Sequence, residues 1–594
     1  MTDPRVPWRR LRVSARRLGE QFTALVAHRD WDENALLMAL GALIGVAAAA
    51  GVLVFYKLID LAYHLFVVAL GARVDTVAHA IARPVITVAG LTFAWLLVRR
   101  FALPDGQNVA DVQLAVAKRG GRVPFRPVVV RTIAAAATLG SGGSAGSEGP
   151  VAVLGAATGS AVGSSSGFPP RRVKILTACG AAAGIAAAFN APFAGAFFAL
   201  EEVLGSFSAG AFSPVVIASA IAAVITQSVF GASPTVDVPA TEITGLLPIV
   251  LVLPVFGVLC GAVSALYTRT FFRCDELAKG MRGPPWLVPV IGGITVGGLV
   301  VATGGLLVGS GHLALPADLF GNRAWYFLIA VAFAKILATS VTLGFGGSGG
   351  VFTPTLYIGA ALGGGIGALM TVAWPESGVQ ASTFALVGMA GLVAGAVRAP
   401  LTAMFMVYEL SHAYELVPPL MVVTVIAYVT AKRLAPYGLY DGWLIRRGER
   451  LAQGADRALL ERRSVRDAVD RSAVVVEASG SLQAIVSAAA RARLTTLPVV
   501  DDEGKLLGVI RYEELRTLLL DRGTLASLLV AADLAGPVES VTPSHSLRDA
   551  LRHMNACAID ALPVVQDDAS QRYLGMLSRT ALLADYEREL AHDV

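Results

Sequence analysis

Glu148 stands in a run of small residues, Gly140-Ser141-Gly142-Gly143-Ser144-Ala145-Gly146-Ser147-Glu148-Gly149-Pro150, just ahead of an apolar stretch. Glycines let a backbone approach a ligand closely, and proline suits the first turn of a helix, where its missing N–H costs nothing. A helix from about Val151 would present free amides and the positive end of its dipole, roughly half an elementary charge, to an anion near Gly146, Ser147 and Gly149. Gly344-Phe345-Gly346-Gly347-Ser348-Gly349-Gly350-Val351-Phe352-Thr353-Pro354 builds the same device again. Two such ends would hold a dehydrated anion without a full positive charge, which would bind more tightly but slow release. A carboxylate beside them has a double character. Ionised, Glu148 is itself an anion and occupies the site. Protonated, it is neutral and yields the site to the travelling ion. A charge at membrane depth costs at least about 2.5–3.5 kcal/mol and marks function by default. Glu201 and Glu202 close the apolar run that starts near Gly184. They are either a helix end at the cytoplasmic surface or a proton route on the inner side.

Other chemistry fits less well. Gly142-Gly143-Ser144-Ala145-Gly146 and Gly346-Gly347-Ser348-Gly349-Gly350 match the loose Gly-x-Ser-x-Gly nucleophile pattern. A serine nucleophile needs a base, and none of His64, His79, His312 and His412 lies mid-run, able to face Ser144. This argues against an intramembrane hydrolase, and no catalytic residue is assigned. Cys179, Cys260, Cys274 and Cys557 show no metal or redox spacing and read as small buried residues.

Composition says what must position Glu148. Of 594 residues, 55% are hydrophobic and only 15% charged, against about 25% charged in soluble domains. Mean hydropathy is +0.64. From Ala35 to about Val429 the chain is a series of apolar runs. Ala35–Tyr56, Leu246–Leu266, Trp286–Val308 and the shorter Leu416–Val429 are candidate spans. Breaks at Gly146–Pro150 and Gly344–Pro354 are tolerated at membrane depth only where the loose backbone is buried in protein or lines a cavity. An inert anchor would leave those breaks and Glu148 as costs without purpose. Arg5, Arg9, Arg10, Arg12, Arg16 and Arg17 precede the first span with no secretory-signal pattern. They predict a cytoplasmic N-terminus rather than a nucleic-acid arm.

Both parts of the chain repeat internally. Gly184-Ile185-Ala186-Ala187-Ala188-Phe189-Asn190-Ala191-Pro192 leads to Glu201, and Gly391-Leu392-Val393-Ala394-Gly395-Ala396-Val397-Arg398-Ala399-Pro400 leads to Glu409. Pro192 to Pro400 and Glu201 to Glu409 both span 208 positions, and Pro150 to Pro354 spans 204. Paired broken segments in corresponding halves point to the substrate site of a transporter. In the tail, Leu497-Pro498-Val499-Val500 returns as Leu562-Pro563-Val564-Val565, 65 residues on, each copy reading as helix, buried strand, turn and strand. The expected organisation is a basic segment 1–34, a transmembrane domain 35–445 (repeats about 35–235 and 245–445) and a cytoplasmic tail 446–594 (about 463–522 and 533–590).

Gly-Ser-Glu-Gly-Pro (146–150), Gly-Val-Phe-Thr-Pro (350–354), Phe-Asn-Ala-Pro (189–192) with Glu201-Glu202, and Leu-Tyr-Asp (439–441) resemble the CLC family of chloride channels and chloride/proton antiporters. The tail resembles a CBS-domain pair. The resemblance implies an all-α polytopic fold of inverted repeats of tilted, broken helices, with a small α/β tail. It implies a homodimer with one anion path per subunit. The lack of a signal-peptide pattern and the compact tail suit a bacterial inner membrane, with both termini cytoplasmic. Glu148 aligns with the external gating glutamate. The amides of Val351 and Phe352 and the Tyr440 hydroxyl align with groups that hold the central anion. Glu202 aligns with the internal proton-transfer glutamate, which channels of the family generally lack, so its presence favours exchange over a channel. Arg131 aligns with a residue usually lysine. Gln107 stands where the family usually has a serine whose hydroxyl donates to the anion. Its amide still offers two donors, but chloride, nitrate, bicarbonate and fluoride are all open. Ser147 replaces a common arginine. No cofactor is required for transport. In the tail, Arg511 to Glu514 and Ser578 to Ala581 depart from the pattern that holds a ribose, so adenine-nucleotide binding and simple dimerisation both stand.

Overall fold

In the computed structural model, the residues described are 33–68, 76–103, 108–231, 246–309, 323–377, 379–449, 463–492, 494–512, 515, 529–537, 539–557, 559–567 and 569–584. The chain forms two compact units, residues 1–451 and 452–594.

The first unit is helical. Its helices are α1 Glu33–Tyr63, α2 Thr76–Arg100, α3 Val109–Lys118, α4 Phe125–Gly140, α5 Glu148–Ser165, α6 Pro170–Phe189, α7 Pro192–Phe198 and α8 Ala209–Phe230. They continue as α9 Leu246–Gly280, α10 Leu287–Ala302, α11 Trp325–Gly344, α12 Phe352–Ala373, α13 Ala381–Ala396, α14 Pro400–Ser411, α15 Val417–Leu434 and α16 Leu439–Arg446. Eight helical stretches among the described residues are long and apolar enough to span a bilayer. The run expected from Trp286 to Val308 is not one of them. Its helix stops at Ala302, because Gly304 and Gly305 adopt positive φ and turn the chain.

The halves repeat one packing device. An added Cβ on Gly155 of α5 would lie 2.0 Å from the Gly180 carbonyl of α6, and one on Gly363 of α12 would lie 2.0 Å from the Phe384 carbonyl of α13. Small residues at these crossings let backbones touch. The close pairs drive α5 and α12 into the core, where most of each helix's N-terminal half is buried. Asn190, left-handed at φ 55°, ends α6, and Pro192 opens α7. Cys179, Cys260 and Cys274 are buried among apolar side chains, and Cys557 is partly buried.

The second unit holds the tail repeat. In the first copy β1 Val476–Glu477 pairs parallel with β2 Thr496–Val500, which pairs antiparallel with β3 Leu506–Arg511. In the second, β4 Ala561–Val565 pairs antiparallel with β5 Tyr573–Ser578, and an isolated parallel bridge joins Val541 to Val564. Both copies carry a register shift at the second valine, Val500 and Val565. Helices α17 Leu482–Arg491 and α19 Leu547–Ala556 are each capped by a serine, Ser481 and Ser546, which satisfies an otherwise orphaned N–H. The short α18 Ala531–Leu534 lies between them.

Candidate functional site

The two glycine-rich breaks meet. Gly146 N donates to Gly350 O at 2.9 Å, and Gly350 N donates to Gly146 O at 2.7 Å. This reciprocal antiparallel bridge follows the 204-residue correspondence between the halves. Flanking bonds obey it too: Ser144 N donates to the Thr342 hydroxyl and Ser348 N to the Thr138 hydroxyl, each at 3.1 Å. Buried backbone polar groups are thereby satisfied without regular structure, as the apolar surroundings require.

Helix α5 starts at Glu148, three residues earlier than the Val151 expected from Pro150. Pro150 is then its third residue, still within the turn that has no helical acceptor. Glu148 is fully buried. Its carboxylate accepts from Phe352 N at 2.6 Å and from the Thr353 hydroxyl at 2.7 Å. The acid of one half thus sits on the N-terminus of α12, from the other half. The bare glycines make room: an added Cβ on Gly146 would lie 1.9 Å, and on Gly350 2.0 Å, from a Glu148 carboxylate oxygen. Gly149 packs on Gly350, with an added Cβ only 3.0 Å from its Cα. Ser147 precedes α5 and is buried, and Val351 precedes α12. The Phe352 ring packs edge-on to Phe189 and Phe198, locking the start of α12 to the ends of α6 and α7.

A cavity of about 300 Å³ opens beside this junction, lined by Arg131, Gly149, Gly350, Val351, Tyr440 and Trp443 among others. Tyr440, in the first turn of α16, is buried, and its hydroxyl makes no hydrogen bond among the described residues. Such an orphan donor is costly unless a ligand completes it. Gln107 lies outside the described residues, as does Glu514. Asn108, next in the chain after Gln107, caps α3 and also borders the cavity.

Glu201 and Glu202 part company. They lie in a π-helical turn, Ala199–Val203, after α7. Such turns re-aim neighbouring side chains and are frequent at functional sites. Glu201 accepts from Leu401 N, Thr402 N and the Thr402 hydroxyl at the start of α14. Glu409, its counterpart 208 residues on, accepts from Phe193 N and Ala194 N at the start of α7. Each repeat therefore caps a helix of the other with its own carboxylate. Phe197 and Phe405 stack between them at 4.3 Å. Glu202 turns inward and is 7% exposed. Its carboxylate and its own carbonyl both accept from Gln113 Nε2 at 2.9 Å. Gln113 carries no sequence signal for this: it lies 89 residues away on α3, and only the fold brings it to Glu202.

Ser144 faces no base among the described residues. Its hydroxyl pairs with that of Thr339 at 3.0 Å. Ser144→Ala is expected to leave ion flux in liposomes within about twofold of wild type, as a single neutral hydrogen bond would allow.

Two homologous helical halves, joined where their broken helices meet around a buried carboxylate, define a membrane transport protein of the duplicated, interrupted-helix class. The voltage gated chloride channel family model matches residues 90–432, and CBS domain models match 465–521 and 531–587. The chain belongs to that family, the CLC proteins, and is a multi-pass membrane protein that transports small anions. It is 30% identical to the putative chloride channel protein ClcB-like of Ralstonia nicotianae over 69% of this chain and 97% of that one. It is 32% identical to the H(+)/Cl(-) exchange transporter ClcA of Yersinia pestis over 59% of this chain and 75% of that one. The fold matches that of a slow cyanobacterial Cl-/H+ antiporter with TM-score 0.62 at 23% identity, over 72% of this chain and all of the other.

Proposed function

We propose that this protein exchanges chloride or a similar small anion for protons, with Glu148 as the gate and Glu202 as the inner proton-transfer group. One observation carries the reading: the Glu148 carboxylate occupies the amide end of α12, where a travelling anion would bind. A carboxylate there can be displaced by an anion once protonated, so the two ions compete for one place. The anion's other neighbours are the Val351 amide, the Tyr440 hydroxyl, the Gly146–Gly149 backbone with Ser147, and Gln107. Glu202, buried and bonded to Gln113, supports a route for protons separate from that of the anion. The name of the Yersinia relative supports exchange; that of the Ralstonia relative keeps a channel without proton coupling as the rival.

Purified protein in liposomes with an imposed chloride gradient is expected to drive protons uphill, recorded by a pH electrode. Chloride flux with no proton movement would assign the rival. Gln107→Ser is expected to shift the order of chloride, nitrate and fluoride fluxes. An unchanged order would remove Gln107 from the anion path. We further propose a homodimer, cytoplasmic termini, and a tail of two CBS domains that takes an adenine nucleotide or serves dimerisation. Light scattering in detergent tests the homodimer, accessibility of the termini to protease added outside inside-out vesicles tests their side, and calorimetric titration with ATP tests the tail.

A further inference from the structure

A second tyrosine converges on the anion position. Tyr267 lies in the long apolar helix α9, is fully buried, and is among the largest side chains that are so. Neither its hydroxyl nor that of Tyr440 makes a well-formed hydrogen bond among the described residues, although the Thr355 hydroxyl lies beside that of Tyr267. An apolar helix has no packing reason to carry a phenol whose donor is left unmade, at a cost of roughly 1–3 kcal/mol. Phenylalanine would fill the same space, as Phe271 does one turn later.

The packing brings the two phenols together. Tyr267 and Phe271 share one face of α9, with ring centroids 6.4 Å apart. Tyr440 and Trp443 stand three residues apart on α16, and Phe271 packs edge-on to Trp443 at 6.1 Å. The helices touch closely here, since an added Cβ on Gly442 would lie 2.5 Å from the Phe272 ring. Phe271, packed against Tyr267, lines the cavity at the amide end of α12 together with Tyr440 and Trp443. Tyr267 also reaches the first turn of α12 beside Thr355, whose own hydroxyl proton goes to Val351 O at 2.6 Å.

We infer that Tyr267 is a second phenolic donor to the bound anion, opposite Tyr440, at the amide end of α12. The inference deepens the proposed anion site and rests on it. The ligand class is a single dehydrated monovalent anion of halide size. Two O–H donors and the helix amides replace its water, and no cation is needed.

Isothermal titration of chloride into the purified full-length protein tests this. Wild type is expected to bind chloride saturably. Tyr267→Phe keeps the ring and its packing on Phe271, and is expected to bind chloride about tenfold more weakly, as loss of one hydrogen bond to a charged group implies. Tyr440→Phe should weaken it comparably. Binding by Tyr267→Phe within about twofold of wild type, with Tyr440→Phe weakened, overturns the assignment of Tyr267 alone. No saturable binding by wild type overturns the anion site itself, and the inference with it. Bromide-soaked crystals of wild type give a readout independent of any variant. An anomalous peak within about 3.5 Å of the Tyr267 hydroxyl supports the assignment, and a peak against Tyr440 but remote from Tyr267 overturns it.

Discussion

Glu148→Gln is expected to abolish proton movement while anion movement persists. Glutamine has the size of a protonated glutamate but cannot take up or release a proton. In wild type the carboxylate is held by Phe352 N and the Thr353 hydroxyl, bonds made to a charge and so stronger than neutral ones. An amide oxygen in their place accepts less strongly, and the site is freed for the anion. Proton flux driven by a chloride gradient should fall about a hundredfold or more, the scale on which a lost proton-transfer group acts. Chloride efflux into the same liposomes should stay level or rise. Its dependence on pH should also flatten, because the group that competes with the anion no longer titrates. Persistent uphill proton pumping in Glu148→Gln would show that another acid is the gate.

Glu202→Gln should uncouple the protein from the other end, with proton flux again down about a hundredfold and chloride flux retained. The expectation depends on the inward turn of Glu202. Glu201, one residue earlier, is spent on three donors at the start of α14. It is expected to behave differently. Glu201→Gln should reduce the stability of the folded protein, read as a lower melting temperature in detergent, because the carboxylate at a helix N-terminus is replaced by a neutral group. Its anion-to-proton ratio should stay that of wild type. If Glu202→Gln keeps full coupling, Glu202 is a structural acid satisfied by Gln113 and no more.

Much of this arrangement is written locally. The breaks at Gly146 and Gly350 declare themselves because glycine, serine and proline interrupt runs that would otherwise be continuous helix. The 204- and 208-residue offsets make the halves equivalent, and Gly146–Gly350 and Glu201–Glu409 are the structural expression of that equivalence. What a periodicity could not tell is that Glu201 and Glu409 cap each other's helices, since equivalence in sequence does not say which copy bonds which. Nor could it separate Glu201 from Glu202, because the π-helical turn that divides them is a backbone irregularity without a residue signature. Trp286–Val308 read as one span because valine and leucine continue past Ala302. The turn at Gly304 and Gly305 sits inside that hydropathy.

Sequence alone determined that the chain is a duplicated membrane protein with paired helix breaks, an acid at one of them, and a repeated tail. Those features follow from composition and spacing, which act over a few turns of chain. Tertiary structure alone decided that the Glu148 carboxylate rests on Phe352, that Gln113 reaches Glu202, and that Phe271 of α9 packs on Trp443 of α16. These are contacts between residues 89 to 204 positions apart. They exist because glycine crossings pull whole helices into contact, and no local propensity encodes which side chains then face one another.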